Sequence, residues 1–270
     1  MRRGGFGVEV VVTGDEILFG RIVDTNSQWI VRRVVELGSR MRRVTCVGDN
    51  RGEIAEALTE ALARSSDLVI FTGGLGPSED DLTVEGIGRA LDRDVVLDPG
   101  AVERIRGIYA ARGIHSTARG ERMARVVEGS EAFPNPVGMA TGMMVREGGS
   151  TIVTLPGVPA EMKAMFEEFV APIIERGSVS RFVARTVTAR VVFRDFFPVY
   201  RGMQRDYPDV YIKNAATPPE SAEGRLEVRV IKVYLVVEGG TEEEGEARME
   251  AILGEFGRRL GAVGGELLPG

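Results

Sequence analysis

The chain has 270 residues, of which 43% are hydrophobic and 27% are charged, and these proportions exclude disordered, collagen-like and coiled-coil proteins. Its net charge of −6 argues against a protein that holds nucleic acid through the phosphates, and no apolar run is long enough to cross a bilayer. The single cysteine and the single histidine exclude an internal disulfide, a cysteine-based zinc cage and a histidine-rich metal site.

Strand and helix patterns alternate in the first half of the sequence. Short apolar runs predict three buried strands, at 8–13, 41–47 and 67–72. Cap residues and apolar spacing predict helices at 25–37 and 52–63, a third helix that carries Leu82, Ile87 and Leu91, and a further helix that opens at Asp98 and Pro99. The third of these helices is expected to begin near Asp80 or Asp81. This alternation predicts right-handed crossovers and a mostly parallel sheet in an α/β fold.

A hairpin pattern then follows. Apolar runs at 143–146 and 151–155 flank a glycine-containing turn, which predicts an antiparallel pair that extends the sheet. A helix is predicted at 160–175. The pattern restarts after this helix and divides the sequence into a first domain at 1–177 and a second domain at 178–270.

The second domain is predicted to be a small α+β unit. Its predicted strands lie at 182–193, 210–212 and 226–237, and its predicted helices at 198–207 and 242–260, with a loop at 217–221. The order β-α-β-β-α indicates a small sheet with helices on one face. The tail after Gly261 is expected to fray.

Acidic residues and glycines follow the predicted strands. Asp15 and Glu16 come after the first strand, Asp49 comes after the second, and the third is followed by Thr72-Gly73-Gly74-Leu75-Gly76-Pro77-Ser78. Ligands of an open parallel sheet bind beyond the carboxyl ends of its strands. Glycines let backbone N–H groups approach a phosphate, and the positive end of the next helix favours it. The segment matches neither a Walker loop nor a dinucleotide fingerprint. The alternative to a phosphate site is therefore a tight strand-to-helix turn without a ligand.

Carboxylates beside this segment indicate a cation. Asp80 and Asp81 would repel a phosphate unless a cation lay between them. A hard divalent ion such as Mg²⁺ or Mn²⁺ takes oxygen ligands and bridges carboxylate to phosphate, so these residues, with Asp15 and Glu16, are candidate metal ligands. The alternative is that the acids only cap helices.

Two further positions have both a binding and a structural interpretation. Pro156 and Gly157 precede the predicted helix at 160–175, where they can form a second anion site or a rigid loop. Asn26 can reach a ligand near the first strand, and it is equally an ordinary residue for the start of a helix.

Three segments carry a resemblance to a known family. They are 13–26, which opens with Thr13-Gly14-Asp15-Glu16; 72–83, which contains the glycine loop with Asp80, Asp81 and Thr83; and 155–163, which opens with Leu155-Pro156-Gly157. In this order they resemble the motifs of the MoaB/Mog molybdopterin-binding superfamily. Over residues 8–175 the chain is identified as a member of its CinA-type branch.

The resemblance implies a three-layer α/β/α fold with a pocket formed by these segments, and a KH-like second domain. In molybdenum-cofactor proteins of the superfamily the pocket holds molybdopterin or its adenylylated form. In CinA-like proteins and the related domain of FAD synthases, it is associated with metal-dependent hydrolysis of a nucleotide pyrophosphate such as ADP-ribose or FAD. The second domain has no basic Gly-x-x-Gly clamp, so RNA binding is not expected.

The sequence departs from the family pattern at two places. Ser78 stands where the family has threonine and keeps the hydroxyl. Thr141 stands where the family has proline, between Ala140 and Gly142, which affects the nearby pocket wall. The sequence does not contain the amidase domain of full-length CinA proteins, so hydrolysis of nicotinamide mononucleotide is not expected.

We therefore expect metal-dependent hydrolysis of a nucleotide pyrophosphate, with Mg²⁺, Mn²⁺ or Co²⁺ as the cofactor and Asp80, Asp81 and Asp15 as catalytic residues. The expected metal ligands are Asp80, Asp81, Asp15 and Glu16. The expected phosphate- or ligand-binding residues are Gly14, Asn26, Thr72, Gly73, Gly74, Gly76, Ser78, Thr83, Pro156 and Gly157. The alternative is a non-catalytic protein that binds molybdopterin or an adenylylated pterin.

The expected partners are a small-molecule nucleotide or pterin phosphate and further copies of the chain. No nucleic acid and no membrane is expected to bind. The first residues run into a strand without the apolar stretch of a signal peptide, so the expected location is the cytoplasm.

Overall fold

The computed structural model describes residues 6–178, 181–215 and 226–269. The loop predicted at 217–221 lies outside the described residues. The chain divides into two compact units, residues 1–178 and 179–270. No helix in the described ranges is long and apolar enough to cross a membrane.

The first unit is built on a six-stranded sheet. The strands of this unit are β1 (Gly7–Thr13), β2 (Arg40–Val47), β3 (Leu68–Thr72), β4 (Val95–Leu97), β5 (Arg125–Val127), β6 (Glu131–Phe133), β7 (Gly142–Glu147) and β8 (Ser150–Leu155). The sheet has the order β2-β1-β3-β8-β7-β6, and β4 and β5 form a separate antiparallel pair. Strands β2, β1, β3 and β8 are parallel; β7 runs antiparallel to β8, and β6 runs antiparallel to β7. The predicted parallel sheet and hairpin are confirmed.

Helices cover both faces of this sheet. They are α1 (Asp15–Leu18), α2 (Thr25–Glu36), α3 (Arg51–Ala63), α4 (Thr83–Leu91), α5 (Pro99–Ala111), α6 (Ala118–Glu121), α7 (Pro159–Met165) and α8 (Ala171–Gly177). On one face α2, α7 and α8 pack on Val8, Val10 and Val12, and on the other α3 and α4 pack on Val11 and Val69. Because side chains alternate along a strand, β1 contributes to both cores. The three-layer α/β/α fold is confirmed.

Polar caps fix where three of these helices begin. The carboxylate of Asp24 accepts a hydrogen bond from the N–H of Ser27 at 2.9 Å, and that of Asp98 accepts one from Ala101 at 2.8 Å. The side chain of Asn50 accepts from Gly52 at 2.7 Å. These contacts satisfy N–H groups that have no partner within the helix.

Helix α4 begins later than predicted, at Thr83 rather than near Asp80 or Asp81. The carboxylate of Asp81 is bonded to Ser78, so it stabilises the preceding turn. The N–H of Thr83 bonds to the carbonyl of Gly74 at 3.3 Å. The segment 75–82 is therefore a loop held at both ends.

The single tryptophan belongs to α2 and packs against the last helices of the unit. Trp29 packs edge-on against Phe166, with ring centroids 5.2 Å apart, and the ammonium of Lys163 lies 5.7 Å from its ring centroid. Phe166 belongs to a π-helical turn, Phe166–Val170, that joins α7 to α8. The predicted helix at 160–175 is therefore continuous but contains this wider turn.

The second unit is a four-stranded antiparallel sheet with two helices. Its elements are β9 (Arg181–Val192), α9 (Phe193–Asp206), β10 (Tyr211–Asn214), β11 (Val228–Gly239), α10 (Glu242–Gly261) and β12 (Glu266–Pro269). The strand order is β10-β11-β9-β12. Its core joins buried residues of both helices to alternate residues of β9 and β11.

Two elements of the second unit differ from the prediction. Helix α9 begins at Phe193 and not at Pro198. Phe193 and Phe196 are buried at helical spacing, and the stability that their packing adds outweighs the cost of the backbone hydrogen bond that Pro198 cannot donate. The tail after Gly261 forms β12 rather than fraying, since it pairs with β9 and Leu267 packs against the core.

Candidate functional site

A cavity of about 730 Å³ opens beyond the carboxyl ends of β1, β2, β3 and β8. Its walls come from the segments that follow these strands and from the start of α2. All of its lining residues belong to the first unit. The parallel strands end at one edge of the sheet, so topology alone brings these segments together.

The glycine loop after β3 lies in a backbone conformation that only glycine adopts without strain. The φ angles are +107° at Gly73 and +63° at Gly74. A Cβ atom at Gly73 would lie 2.4 Å from the carbonyl oxygen of Thr13, and one at Gly74 would lie 2.3 Å from the hydroxyl of Thr83. The loop thus packs directly on the end of β1 and the start of α4.

This loop offers unused hydrogen-bond donors to the cavity. The N–H of Gly73 bonds to the carbonyl of Leu155 at 3.1 Å. The N–H groups of Gly74, Leu75 and Gly76 donate to no acceptor within the described residues, and all three residues line the cavity. Consecutive free N–H groups in a turn form a concave site for an anion.

Buried hydroxyl groups hold the loop from behind. The hydroxyl of Thr83 donates to the carbonyl of Gly73 at 2.9 Å and lies 3.0 Å from the hydroxyl of Thr13. Thr83 is fully buried and does not line the cavity. The hydroxyl of Thr72 donates to the carbonyl of Pro156 at 3.0 Å. Thr83 therefore positions the loop, whereas Thr72 joins it to the segment after β8.

Asn26 ties three segments together at the start of α2. Its amide nitrogen donates to the carbonyl of Gly157 at 2.8 Å and to the hydroxyl of Thr72 at 3.2 Å. Its amide oxygen is buried in the cavity wall and has no hydrogen-bond partner within the described residues. A buried acceptor without a donor is costly, and a ligand N–H or O–H would satisfy it.

The acidic residues lie at the rim of the cavity with different partners. One oxygen of Asp81 accepts hydrogen bonds from both the N–H and the hydroxyl of Ser78, each at 2.7 Å. Asp80 lines the cavity, is exposed, and has no hydrogen bond or ion pair within the described residues. The turn thus fixes Asp81 and leaves the carboxylate of Asp80 available.

Asp15 and Asp49 bond to each other's backbone. The N–H of Asp15 donates to the carboxylate of Asp49 at 3.1 Å, and the N–H of Asp49 donates to that of Asp15 at 3.3 Å. Asp49 and Glu16 line the cavity, whereas Asp15 does not. Burial raises the pKa of Asp49, and the negative charges of Asp15, Glu16 and Asp81 raise it further. The acids that follow three different strands are therefore close enough for their negative charges to interact.

The predicted site residues divide as follows. Those that line the cavity are Gly14, Glu16, Asn26, Thr72, Gly73, Gly74, Gly76, Ser78, Asp80, Asp81, Pro156 and Gly157. Asp15 and Thr83 do not line it; Asp15 is exposed and bonds to the backbone of Asp49, and Thr83 is buried beneath the glycine loop. Within the described residues no group of three or more His, Cys, Asp or Glu side chains is arranged to hold a metal ion.

The predicted site residues do not include one part of the cavity wall, although the family pattern placed the segment around Ala140 near it. This part contains Met123, Met139, Ala140 and Glu161. Asn135 donates to the carboxylate of Glu161 at 2.6 Å. These residues come from separate loops and one helix start, and no local pattern in the sequence joins them.

Arg104 of α5 holds this wall in place. Its guanidinium donates to the carbonyls of Gly138 and Met139, at 3.2 and 2.8 Å, and to the hydroxyl of Thr141 at 3.2 Å. Burial lowers the pKa of Arg104. Thr141, which replaces the proline of the family pattern, is thus an acceptor in the contact that fixes the wall.

The first unit matches a known protein family. Residues 9–176 match the family described as "Probable molybdopterin binding domain". The chain belongs to this family. Its resemblance to the MoaB/Mog superfamily and to the CinA-type branch is confirmed.

Three relatives show how far the likeness extends. A protein of Pyrobaculum calidifontis is 37% identical over 90% of this chain and 92% of its own length. A CinA-like protein of Dictyoglomus thermophilum is 36% identical over 94% of this chain, which spans only 59% of that protein. The crystal structure of the protein CinA from Thermoplasma acidophilum, described as of unknown function, is 36% identical, covers 63% of this chain and 98% of its own, and gives a TM-score of 0.59.

Proposed function

We propose that the first unit binds a nucleotide pyrophosphate, such as ADP-ribose or FAD, and hydrolyses it with the help of a divalent metal ion. The observation that supports this most is the row of N–H groups at Gly74, Leu75 and Gly76 without an acceptor in the described residues, in a loop that lines a cavity with acids at its rim. The N–H groups match a phosphate, and the acids match a cation that accompanies it.

Binding of the phosphate follows from the loop. The free N–H groups donate to phosphate oxygens, and the positive end of the nine-residue helix α4 adds a favourable field. The hydroxyl of Thr83 keeps the loop in position. The amide oxygen of Asn26 accepts a hydrogen bond from a hydroxyl or amino group elsewhere on the ligand.

The donors at the rim fit a hard metal ion that arrives with the ligand. Mg²⁺ is commonly bound through one or two carboxylates together with substrate phosphates, so a preformed group of three protein ligands is not required. Asp81 and Glu16 line the cavity and can supply such oxygens, which leaves the carboxylate of Asp80 for the chemistry. When bound, the ion would neutralise charge on the phosphates and lower the pKa of water.

Among the residues of the chain, Asp80 is assigned the role of general base. Its carboxylate has no partner within the described residues, so it can accept a proton from an attacking water. Oxygen of that water bonds to one phosphorus, the bond from phosphorus to the bridging oxygen breaks, and two phosphomonoesters leave. Asp81 keeps the turn at Ser78 closed during this step.

A second function is favoured by the part of the cavity wall that contains Met123, Met139 and Ala140. Met123, Met139 and Ala140 provide an apolar surface for a flat ring, and the matched family is described as molybdopterin binding. A pterin phosphate would place its phosphate at the same loop. The protein would then bind this ligand without catalysis.

Turnover and binding measurements separate these functions. The protein is incubated with ADP-ribose or FAD and Mg²⁺, Mn²⁺ or Co²⁺, and phosphomonoesters are measured. Asp80→Asn is expected to lower kcat at least about a hundredfold, because general-base catalysis contributes about that much. Asp94→Asn, which changes an exposed acid outside the cavity, is the matched control. Binding without turnover with any metal would rule out the hydrolase, and tight binding of a pterin phosphate would favour the second function.

A further inference from the structure

A second, smaller cavity adjoins the first. It has a volume of about 420 Å³ and is lined by Pro77, Ser78, Glu79 and Asp80 of the glycine loop and by Arg119 and Arg122. Pro77, Ser78 and Asp80 line both cavities. We call this second cavity the arginine annex. The glycine loop is thus a wall shared by the main cavity and the annex.

The two arginines of the annex are not engaged with acids. Arg125, close by in the sequence, makes an ion pair with Glu85. Arg119 and Arg122 make no ion pair with any carboxylate of the described residues, although Glu79 lines the same annex. Two guanidinium groups therefore face one small space without a bound negative partner.

Arg122 also supports the loop. Its guanidinium donates to the carbonyl of Ser78 at 3.1 Å, while its Nε atom is buried without a partner in the described residues. Arg125 donates to the carbonyl of Asp81 at 3.3 Å. Arg119 is exposed and makes no such contact within the described residues. Arg122 is therefore partly structural, and Arg119 is the group free to contact a ligand.

We infer that the arginine annex binds a second phosphoryl group of a ligand whose first phosphate lies at the glycine loop. The site would then select sugar-linked diphosphates over monophosphates. This inference rests on the proposed function for the position of the first phosphate. Guanidinium groups bind phosphate through charge-assisted hydrogen bonds, often two at a time. The carboxylate of Glu79 accepts hydrogen bonds from hydroxyls of the attached sugar.

Calorimetry with AMP and ADP, without added metal, tests the inference directly. The wild-type protein is expected to bind ADP more tightly than AMP, because only ADP reaches both subsites. Arg119→Ala is expected to weaken ADP binding about tenfold, which corresponds to one charged hydrogen bond, and to leave AMP binding within twofold. Arg122→Ala is expected to weaken both ligands, since it also supports Ser78.

A matched variant controls for loss of surface charge. Arg112→Ala removes an exposed arginine at the end of α5 that lines neither cavity, and it is expected to change neither affinity. Equal affinities of the wild-type protein for AMP and ADP overturn the inference. The inference is also overturned if Arg119→Ala weakens the binding of AMP and ADP equally. Failure of both nucleotides to bind to the wild-type protein overturns it as well.

The failure of this inference is distinguishable from failure of the proposed function. If ADP is preferred through Arg119 but ADP-ribose is never cleaved, the hydrolase proposal fails and the annex stands. If ADP-ribose is cleaved and Arg119→Ala leaves its KM unchanged, the annex fails and the hydrolase stands.

Discussion

At the scale of single residues, the conformation of the site depends on two glycines, because a side chain at either position would strain the backbone and overlap a neighbouring oxygen atom. Gly73 and Gly74 have positive φ angles, and each lies against an oxygen atom at less than the distance a Cβ atom needs. The carbonyl of Gly73 accepts a hydrogen bond from the buried hydroxyl of Thr83, which also lies 3.0 Å from the hydroxyl of Thr13. The free N–H groups of the loop are therefore held in place before a ligand arrives.

Substitution of Gly74 by alanine tests this arrangement. The new Cβ atom would overlap the hydroxyl of Thr83, so the loop must move and its N–H groups lose their alignment. Gly74→Ala is expected to weaken AMP binding at least about tenfold and to lower the free energy of unfolding by about 1–2 kcal/mol or more. Calorimetry and urea denaturation measure the two effects.

Gly148 provides the control for backbone strain. Its φ angle is +56°, close to that of Gly74, but a Cβ atom there would meet no atom within 4 Å. Gly148→Ala is expected to carry a similar strain cost of about 1–2 kcal/mol and to leave AMP binding unchanged. Normal AMP binding by Gly74→Ala would contradict the role given to the loop.

At the scale of elements, the interior strand β1 contains a buried acid. Glu9 is 1% exposed and accepts hydrogen bonds from the guanidinium of Arg64, at 2.9 and 2.8 Å, and from the hydroxyl of Ser66 at 2.6 Å. Burial raises the pKa of Glu9, but the hydrogen bonds from Arg64 and Ser66 outweigh it and hold the pKa below its ordinary value. The contact connects β1 to the end of α3.

This lowered pKa predicts a pH-dependent contribution to stability. The contribution is present above the pKa of Glu9 in the unfolded chain and is lost as the pH falls through its lower pKa in the folded chain. Arg64→Met leaves a buried carboxylate without its cation, so it is expected to lower the free energy of unfolding by about 3 kcal/mol at pH 7. The loss is expected to be smaller at pH 3 than at pH 7, because the contribution of the ion pair is lost as the pH falls through the lowered pKa of Glu9.

Urea denaturation of both proteins at the two pH values measures this difference. Arg32→Met, which changes an exposed arginine of α2, is expected to have little effect at either pH. A loss that stays the same at pH 3 would show that Arg64 acts through packing rather than through the charge of Glu9.

The sequence predicted the elements that local physics determines. Continuous apolar runs mark strands buried on both faces, as at 8–13, and the caps at Asp24 and Asp98 mark helix starts. Three-residue strands such as β4 carry too few side chains for a recognisable period. The start of α9 at Phe193 depends on burial in the second core, which only the folded structure reveals.

The site was predictable to a similar extent. Parallel topology brings the segments after the strands together, so Gly74 and Asp80 could be placed at one edge from sequence alone. The reciprocal bonding of Asp15 and Asp49 depends on loop conformation, and so does the absence of Asp15 from the cavity lining. The wall at Met139 depends on a contact from Arg104, 35 residues earlier in the chain.

At the scale of the whole molecule, the two units have separate hydrophobic cores. The buried clusters of the first unit extend no further than Ile174, and the cluster of the second begins at Val183. All lining residues of both cavities belong to the first unit. Formation of homo-oligomers stays a prediction, which light scattering at working concentration would test.

A fragment of residues 1–178 is expected to fold and to bind AMP with the affinity of the full chain, within about twofold. The physical reason is that its core and its binding residues are complete without the second unit. Circular dichroism shows whether the fragment is folded, and calorimetry measures its affinity. A folded fragment that fails to bind would show that the second unit contributes to the site.

The position of Trp29 makes the protein its own optical reporter. The indole follows Asn26 by one turn of α2 and contacts Phe166. Because the protein contains no other tryptophan, its intrinsic emission comes from one environment and can be followed without attaching a dye. A ligand that draws Asn26 toward it would shift this signal, so occupancy of the cavity can be titrated by fluorescence.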